Sequence, residues 1–455
     1  MKFPKALTLF IVVAMLFVLV VPASAQLGTT DISSFTIQNV DTTDATVTVT
    51  FVDESGNEIT PTELSGGKSN PFTLTPGESF EVYVPGIPTA QLPNGRYSVV
   101  ISSSAQVVAI ANLVGEGNVY FNGSYSGFES GATDFFLPAV VFNYYGWYSL
   151  ISVQNVGANA ADINVSITCD NGTVGTLTAT AVPSMASHHF VLKNETPGGF
   201  NASTSCNGSA EITSAENVVV VDNQSVPAGG NTQSYSGVTS GASTLYVPAL
   251  YHSYYGWDSS INIRKLGSGN ATVTATYSDG GQSTCDLTDA VPGCLLYMPA
   301  KHPGTGYFGA TIASSGPDLI AVVNAANGSQ AQTYNAVGVG TASGAVGVPS
   351  VMKAYYGWNT SVTCQNVGTV DTKMSVEYDG YSSNAYETTD TYGPGETVEI
   401  YTPGESFLPN GYQGGATVTA SASGAEISCI VNFNNPQQMG STVGDWSMSY
   451  NAFNK

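Results

Sequence analysis

The chain has 455 residues with 33 acidic against 11 basic side chains, a formal net charge of −22, and only 10% of its residues are charged. That balance excludes the basic footprint of a nucleic-acid-binding protein and argues against attraction to an anionic membrane surface. The outer surface must be built mainly from Ser, Thr, Asn, Gly and Tyr, a composition that suits secretion and close lateral packing of copies.

Residues 1–25 read as a secretory signal. Lys2 and Lys5 supply the positive end, residues 6–21 the apolar stretch, and Ala23-Ser24-Ala25 a small-residue cleavage site. The apolar stretch is short for a membrane anchor, so no span is expected after cleavage, and the expected location is extracellular or at the cell surface.

From there on the chain repeats itself. Tyr-Tyr-Gly-Trp occurs three times, at Tyr144-Tyr145-Gly146-Trp147, Tyr254-Tyr255-Gly256-Trp257 and Tyr355-Tyr356-Gly357-Trp358. The copies lie about 100 residues apart, the length of a whole domain. A proline precedes each (Pro138, Pro248, Pro349), and an alternating apolar run follows (Ile151/Val153, Ile261/Ile263, Val362/Cys364). That period of two predicts strands with one face buried. The N-terminal repeat lacks the tyrosine-tryptophan leader but keeps Gln38-Asn39-Val40, matching Gln154-Asn155-Val156 and Gln365-Asn366-Val367. Each repeat closes on a tyrosine motif, at Tyr125, Tyr235, Tyr334 and Tyr450.

Short strands, frequent turn residues and no helical period beyond the signal predict an all-β chain of four tandem sandwiches. The boundaries are 26–136, 137–247, 248–348 and 349–455. Each unit is expected to bury its own core, so that the four stand as beads on a rod. The leader strand belongs either to the domain it opens or to the one before it.

The last three repeats hold two cysteines each, which predicts Cys169–Cys206, Cys285–Cys294 and Cys364–Cys429 in an oxidising compartment. Cys364 and Cys429 lie on two apolar strands and are expected to bridge the sheets. Tyr145, Trp147, Tyr255, Trp257, Tyr356 and Trp358 form either a packed aromatic corner or a glycan-stacking platform. Residue burial statistics favour the corner. Glycosylation triplets start at Asn122, Asn171, Asn194, Asn201, Asn207, Asn270 and Asn327, with weaker cases at Asn164, Asn223 and Asn359.

Enzyme signals are absent. His188 and His189 face opposite ways on a strand, His252 and His302 look isolated, and no nucleophile elbow, zincin helix or phosphate loop occurs. Asp53, Glu54 and Glu58 read as an exposed hairpin tip, not a calcium loop. No cofactor or metal is implied.

The strand, Asn-Val-Gly turn and next strand (residues 153–157 with 163–167, and 362–368 with 374–378) resemble bacterial cell-adhesion-related (CARDB-like) and other immunoglobulin-like repeats. The resemblance touches all four units, weakly in the first, and implies surface structure or adhesion with no catalytic residues. The expectation is a non-enzymatic extracellular structural protein, a subunit of a surface layer, sheath or filament, with self-association its main interaction. The alternative is a glycan-binding adhesin using exposed Tyr and Trp, with surface glycans or envelope proteins as partners. The first unit's missing leader suggests an edge completed by another molecule's strand.

Overall fold

The computed structural model describes residues 13–18, 30–116, 121–226, 230–328, 330–381, 385–439 and 444–455. It is nearly all β, with one single-turn α-helix, Met298–Lys301, among the described residues.

The third repeat shows the plan. One sheet runs Gln282–Leu287, Ala271–Tyr277, Gly306–Ser314, the leader strand Thr244–His252 and Val337–Gly338. The facing sheet runs Gly293–Tyr297, Asp258–Lys265, Leu319–Asn327 and Gln330–Asn335. Both are antiparallel, and apolar residues such as Val247, Ile261, Val273, Ile312 and Val323 fill the space between them. In the second repeat a single long strand, Cys206–Ser225, runs through both sheets and joins them into one.

The leader strands pair with the repeat they open: Ala132–Tyr144 on Cys206–Ser225, Thr244–His252 on Gly306–Ser314, and Ala345–Lys353 on Tyr412–Ala420. They begin ahead of the expected boundaries, because each proline sits inside its strand at a register shift. Proline has no N–H to give to a ladder, so a bulge is where a strand tolerates it. The bulge leaves the next residue without a ladder partner, and the closing tyrosine supplies one. The Tyr334 hydroxyl donates to Ala249 O and lies 3.2 Å from Ala249 N. Tyr450 does the same for Ser350, and Tyr235 for Ala139. Two motifs 85 to 100 residues apart in the chain are thus one device.

The first repeat has no leader of its own between its strands. Its place, antiparallel to Tyr97–Ser103, is taken by Val13–Val18, from the stretch read as the signal.

The repeats are not beads on a rod. The closing strands Phe121–Ser126, Thr232–Ser236, Gln330–Asn335 and Ser447–Asn451 touch in cyclic order, first to second to third to fourth and back to first. Each leader strand packs on the next repeat's smaller sheet, and that of the fourth packs on Thr30–Asn39 and Val107–Glu116 of the first. The result is a closed ring about a pseudo-fourfold axis. The first two repeats share one continuous apolar core, and Ile430 and Ile110 join the cores of the third and fourth. Separate cores fail because the leader strands are apolar on both faces. The polar faces of the smaller sheets are mainly neutral Ser, Thr, Asn and Gln, which can be buried between repeats once hydrogen-bonded.

The Gln-Asn pair shows how. Asn39, Asn155 and Asn366 are fully buried and donate to the carbonyl four residues on and to the following turn. Gln38 reaches across to Ala416 O, and Gln365 to Ala310 O, each in the neighbouring repeat. The third repeat has Arg264-Lys265 instead: Arg264 bonds Ser209 of the second, and Lys265 pairs with Asp289 at 2.7 Å.

All three expected disulfides are present. Cys364–Cys429 does not bridge the sheets, however; the two residues face each other on neighbouring strands of one sheet. The bridge between sheets is Cys285–Cys294, from Gln282–Leu287 to Gly293–Tyr297.

Tyr334→Phe keeps the ring in place but strips the bulge at Ala249 of its partner. Denaturant unfolding should show a loss of about 1–3 kcal/mol. An unchanged midpoint would mean that the bulge is satisfied some other way.

Candidate functional site

At the axis the four closing strands are held by a cycle of side-chain-to-backbone bonds. Ser236 Oγ donates to Ser126 O, Ser126 Oγ to Asn451 O, Asn451 Nδ2 to Asn335 O, and Asn335 Nδ2 to Ser236 O. At the other end of these strands stands Asp445, fully buried. Its carboxylate accepts from Thr232 N, Ala331 N, Ser447 N and Ser447 Oγ, and its carbonyl from Asn122 Nδ2. One side chain therefore ties three repeats and its backbone ties the fourth. Burial pushes its carboxyl well above the usual range, against these donors. The axis leaves only a 10 Å³ void, so it is mortar and not a channel. A vestibule of 480 Å³ lies where the connectors between repeats meet, lined by glycine, serine and apolar residues such as Phe135 and Leu245.

The Tyr-Tyr-Gly-Trp stretches are two-residue hairpin turns. The second tyrosine and the glycine both have positive φ, from +48° to +50° at Tyr145, Tyr255 and Tyr356 and from +83° to +88° at the glycines. Tyr254 and Trp257 close the turn with paired backbone bonds, as do Tyr355 and Trp358. Such turns match strand twist, but a bulky residue there is strained, and glycine or asparagine is usual. Asn327 and Asn435 brace two of the turns by donating to Tyr255 O and Tyr356 O. The expected packed corner holds for only part of each motif. The first tyrosine and the tryptophan are half-buried, while the second tyrosine stands out, 85%, 84% and 84% exposed. The outer ring rests edge-on against the inner one at 4.7–4.8 Å.

Between the third and fourth repeats these aromatics open onto a crevice of 390 Å³. Tyr251, Tyr254, Tyr255 and Trp257 come from the third repeat, and Glu399 and Tyr401 from the fourth. Burial raises the Glu399 carboxyl above its ordinary range, opposed by a hydrogen bond from Ser361. Sequence reasoning missed Glu399, since its neighbours come from another repeat.

The other singled-out residues divide clearly. Asn171, Asn194, Asn201 and Asn270 are exposed. Asn207 is half-buried against Asp170, and Asn327 is occupied at its turn. Asn122 is fully buried at the axis, where a glycan has no room. Asp53 caps its hairpin through Ser55 N and both nitrogens of Asn57. Glu54 reaches Arg96 at 3.3 Å. His188 lies against Phe190, and His189 bonds Ser152 at the border with the first repeat. Burial holds His189 down to about 3, so it is neutral. His252 and His302 are not isolated: both ring Nδ1 atoms meet Gly304 O, and His302 Nε2 lies 2.9 Å from Asp279.

One buried acid stands outside these groups. Asp222 is fully buried in the second repeat, where burial pushes its carboxyl up to about 7 against bonds from Gln224 and Ser149. It lines none of the described cavities.

The molecule is thus an all-β protein of β-sandwich character with three disulfides, and no described helix is long and apolar enough to cross a membrane. No family model matches the chain, and no curated protein matches it. Among solved structures, the crystal structure of Thermotoga maritima 1070 is similar over 25% of this chain and 91% of its own, at 18% identity and a TM-score of 0.20.

The Asp222 shift has a definite sign. A raised carboxyl favours the fold below the unfolded chain's pKa and loses that contribution as pH rises through the folded value. Asp222→Asn should therefore gain on the wild type between about pH 4 and pH 8, by up to about 4 kcal/mol. Comparing the two proteins at each pH cancels the opposite contribution of His189. A stability difference that stays flat with pH would refute the assignment.

Proposed function

We propose that this is a non-enzymatic extracellular structural protein of immunoglobulin-like repeats, a building block of a surface layer, sheath or filament. The observation that carries the reading is the pairing of Val13–Val18 with Tyr97–Ser103 over six residues. That strand stands where the other three repeats hold a leader, and it also packs on the second repeat's sheet. When the signal is cleaved, the place opens as an unpaired edge, and a strand of a neighbouring subunit completes it. The ring is suited to such a role. Each of its last three repeats is pinned by its own disulfide, and its surface is rich in neutral polar side chains that pack without burying charge.

A second reading, a surface glycan adhesin, is favoured by the exposure of Tyr145, Tyr255 and Tyr356. A glycan array separates the two, since only the adhesin retains a sugar through Tyr145, Tyr255 or Tyr356.

The mature chain from Gln26 should self-associate in size-exclusion chromatography and form ordered assemblies by electron microscopy. A peptide spanning residues 11–20, supplied in trans, should dissolve them into single rings. A strictly monomeric mature chain, or assembly indifferent to the peptide, would contradict strand addition.

A further inference from the structure

We propose that the crevice between the third and fourth repeats is a binding site for a small organic cation of the alkylammonium class. Its walls combine Tyr251, Tyr254, Tyr255, Trp257 and Tyr401 with the polar Gln332, Ser361, Glu399 and Asn434, and the rings are set at different angles. Tyr251 and Tyr254 are near parallel, at 9°, while Trp257 is inclined 49° to Tyr251 and Tyr255 stands 71° from Tyr254. Five aromatic residues border this one volume, and a cation entering it would meet their electron-rich rings. A sugar instead needs one open, flat face.

The repeats supply an internal control. Glu81 occupies in the first repeat the place of Glu399 in the fourth, by strand register. Its carboxylate accepts from Gln413 Nε2 of the neighbouring repeat. At the Glu399 crevice the residue in register with Gln413 is Tyr307, whose hydroxyl lies instead 3.2 Å from Thr397 Oγ1. Likewise Tyr251 stands where the fourth repeat has Met352. Relative to the interface between the fourth and first repeats, this one has exchanged its amide for aromatic rings and kept its acid. Among the described residues no Lys, Arg or His forms an ion pair with Glu399. A half-buried carboxylate in such a place wants a positive charge from outside. The chain's 33 acidic against 11 basic residues draw cations toward it. The 390 Å³ volume admits a trimethylammonium head with its alkyl arm.

The test is a titration of the mature chain with choline, followed by calorimetry and tryptophan fluorescence. Saturable binding is expected, with the uncharged isostere 3,3-dimethylbutan-1-ol at least about tenfold weaker. Glu399→Gln should weaken choline binding at least about fivefold. If that variant unfolds, Tyr255→Asn, which suits the positive φ and lies at an exposed tip, should weaken it with the melting temperature preserved. Equal binding of choline and its neutral isostere would overturn the proposal. So would no saturation by about 50 mM, or preferential binding of cellobiose at the same residues.

Discussion

Asp445 and the Ser/Asn cycle hold together what the rest of the molecule surrounds. Four strands meet at an axis with their polar sides inward, and burial of those groups is costly unless every donor finds an acceptor. The cycle through Ser126, Asn451, Asn335 and Ser236 gives each strand a bond to its neighbour. Asp445 then gathers two backbone N–H groups from two other repeats and a third from its own. Gly123 shows how close the approach is: a Cβ there would lie 2.3 Å from Ser234 Oγ and 3.2 Å from its Cβ. A side chain there would force Ser234 aside.

Around this centre the same device is used at each leader strand. Proline forces a bulge, the bulge exposes a carbonyl and an N–H, and a tyrosine from the axial strand answers both. The tyrosine thus fastens the outer sheet to the axis. The bulge also bends the leader, which is buried on both sides and packs on the next repeat. Closure of the ring and the shape of each repeat therefore have one cause.

Much of this was legible in the sequence. The repeats, the alternating strands, the three cysteine pairs and the exposed Asp53 hairpin follow from local pattern. Ring closure does not, because a period of two marks one buried face and leaves the other unassigned. The clue was composition: Ser152, Gln154, Thr363 and Gln365 are neutral, so that face can be buried once its groups are hydrogen-bonded. Cys364 and Cys429 gave their partnership but not their register, which depends on strands 65 residues apart. His252 and His302 met only because the fold brings both to Gly304 O. The tip tyrosines were read as packed from residue type, yet the positive φ of a two-residue turn points them outward. Glu399 carried no local signal, since its crevice is shared between two repeats.

The central claim is that the four repeats close on themselves instead of extending. Small-angle X-ray scattering on the monomer fraction of the mature chain tests it most directly. A closed ring of this length should have a radius of gyration of about 22 Å. A value about twice as large, with the scattering of a rod, would contradict the account.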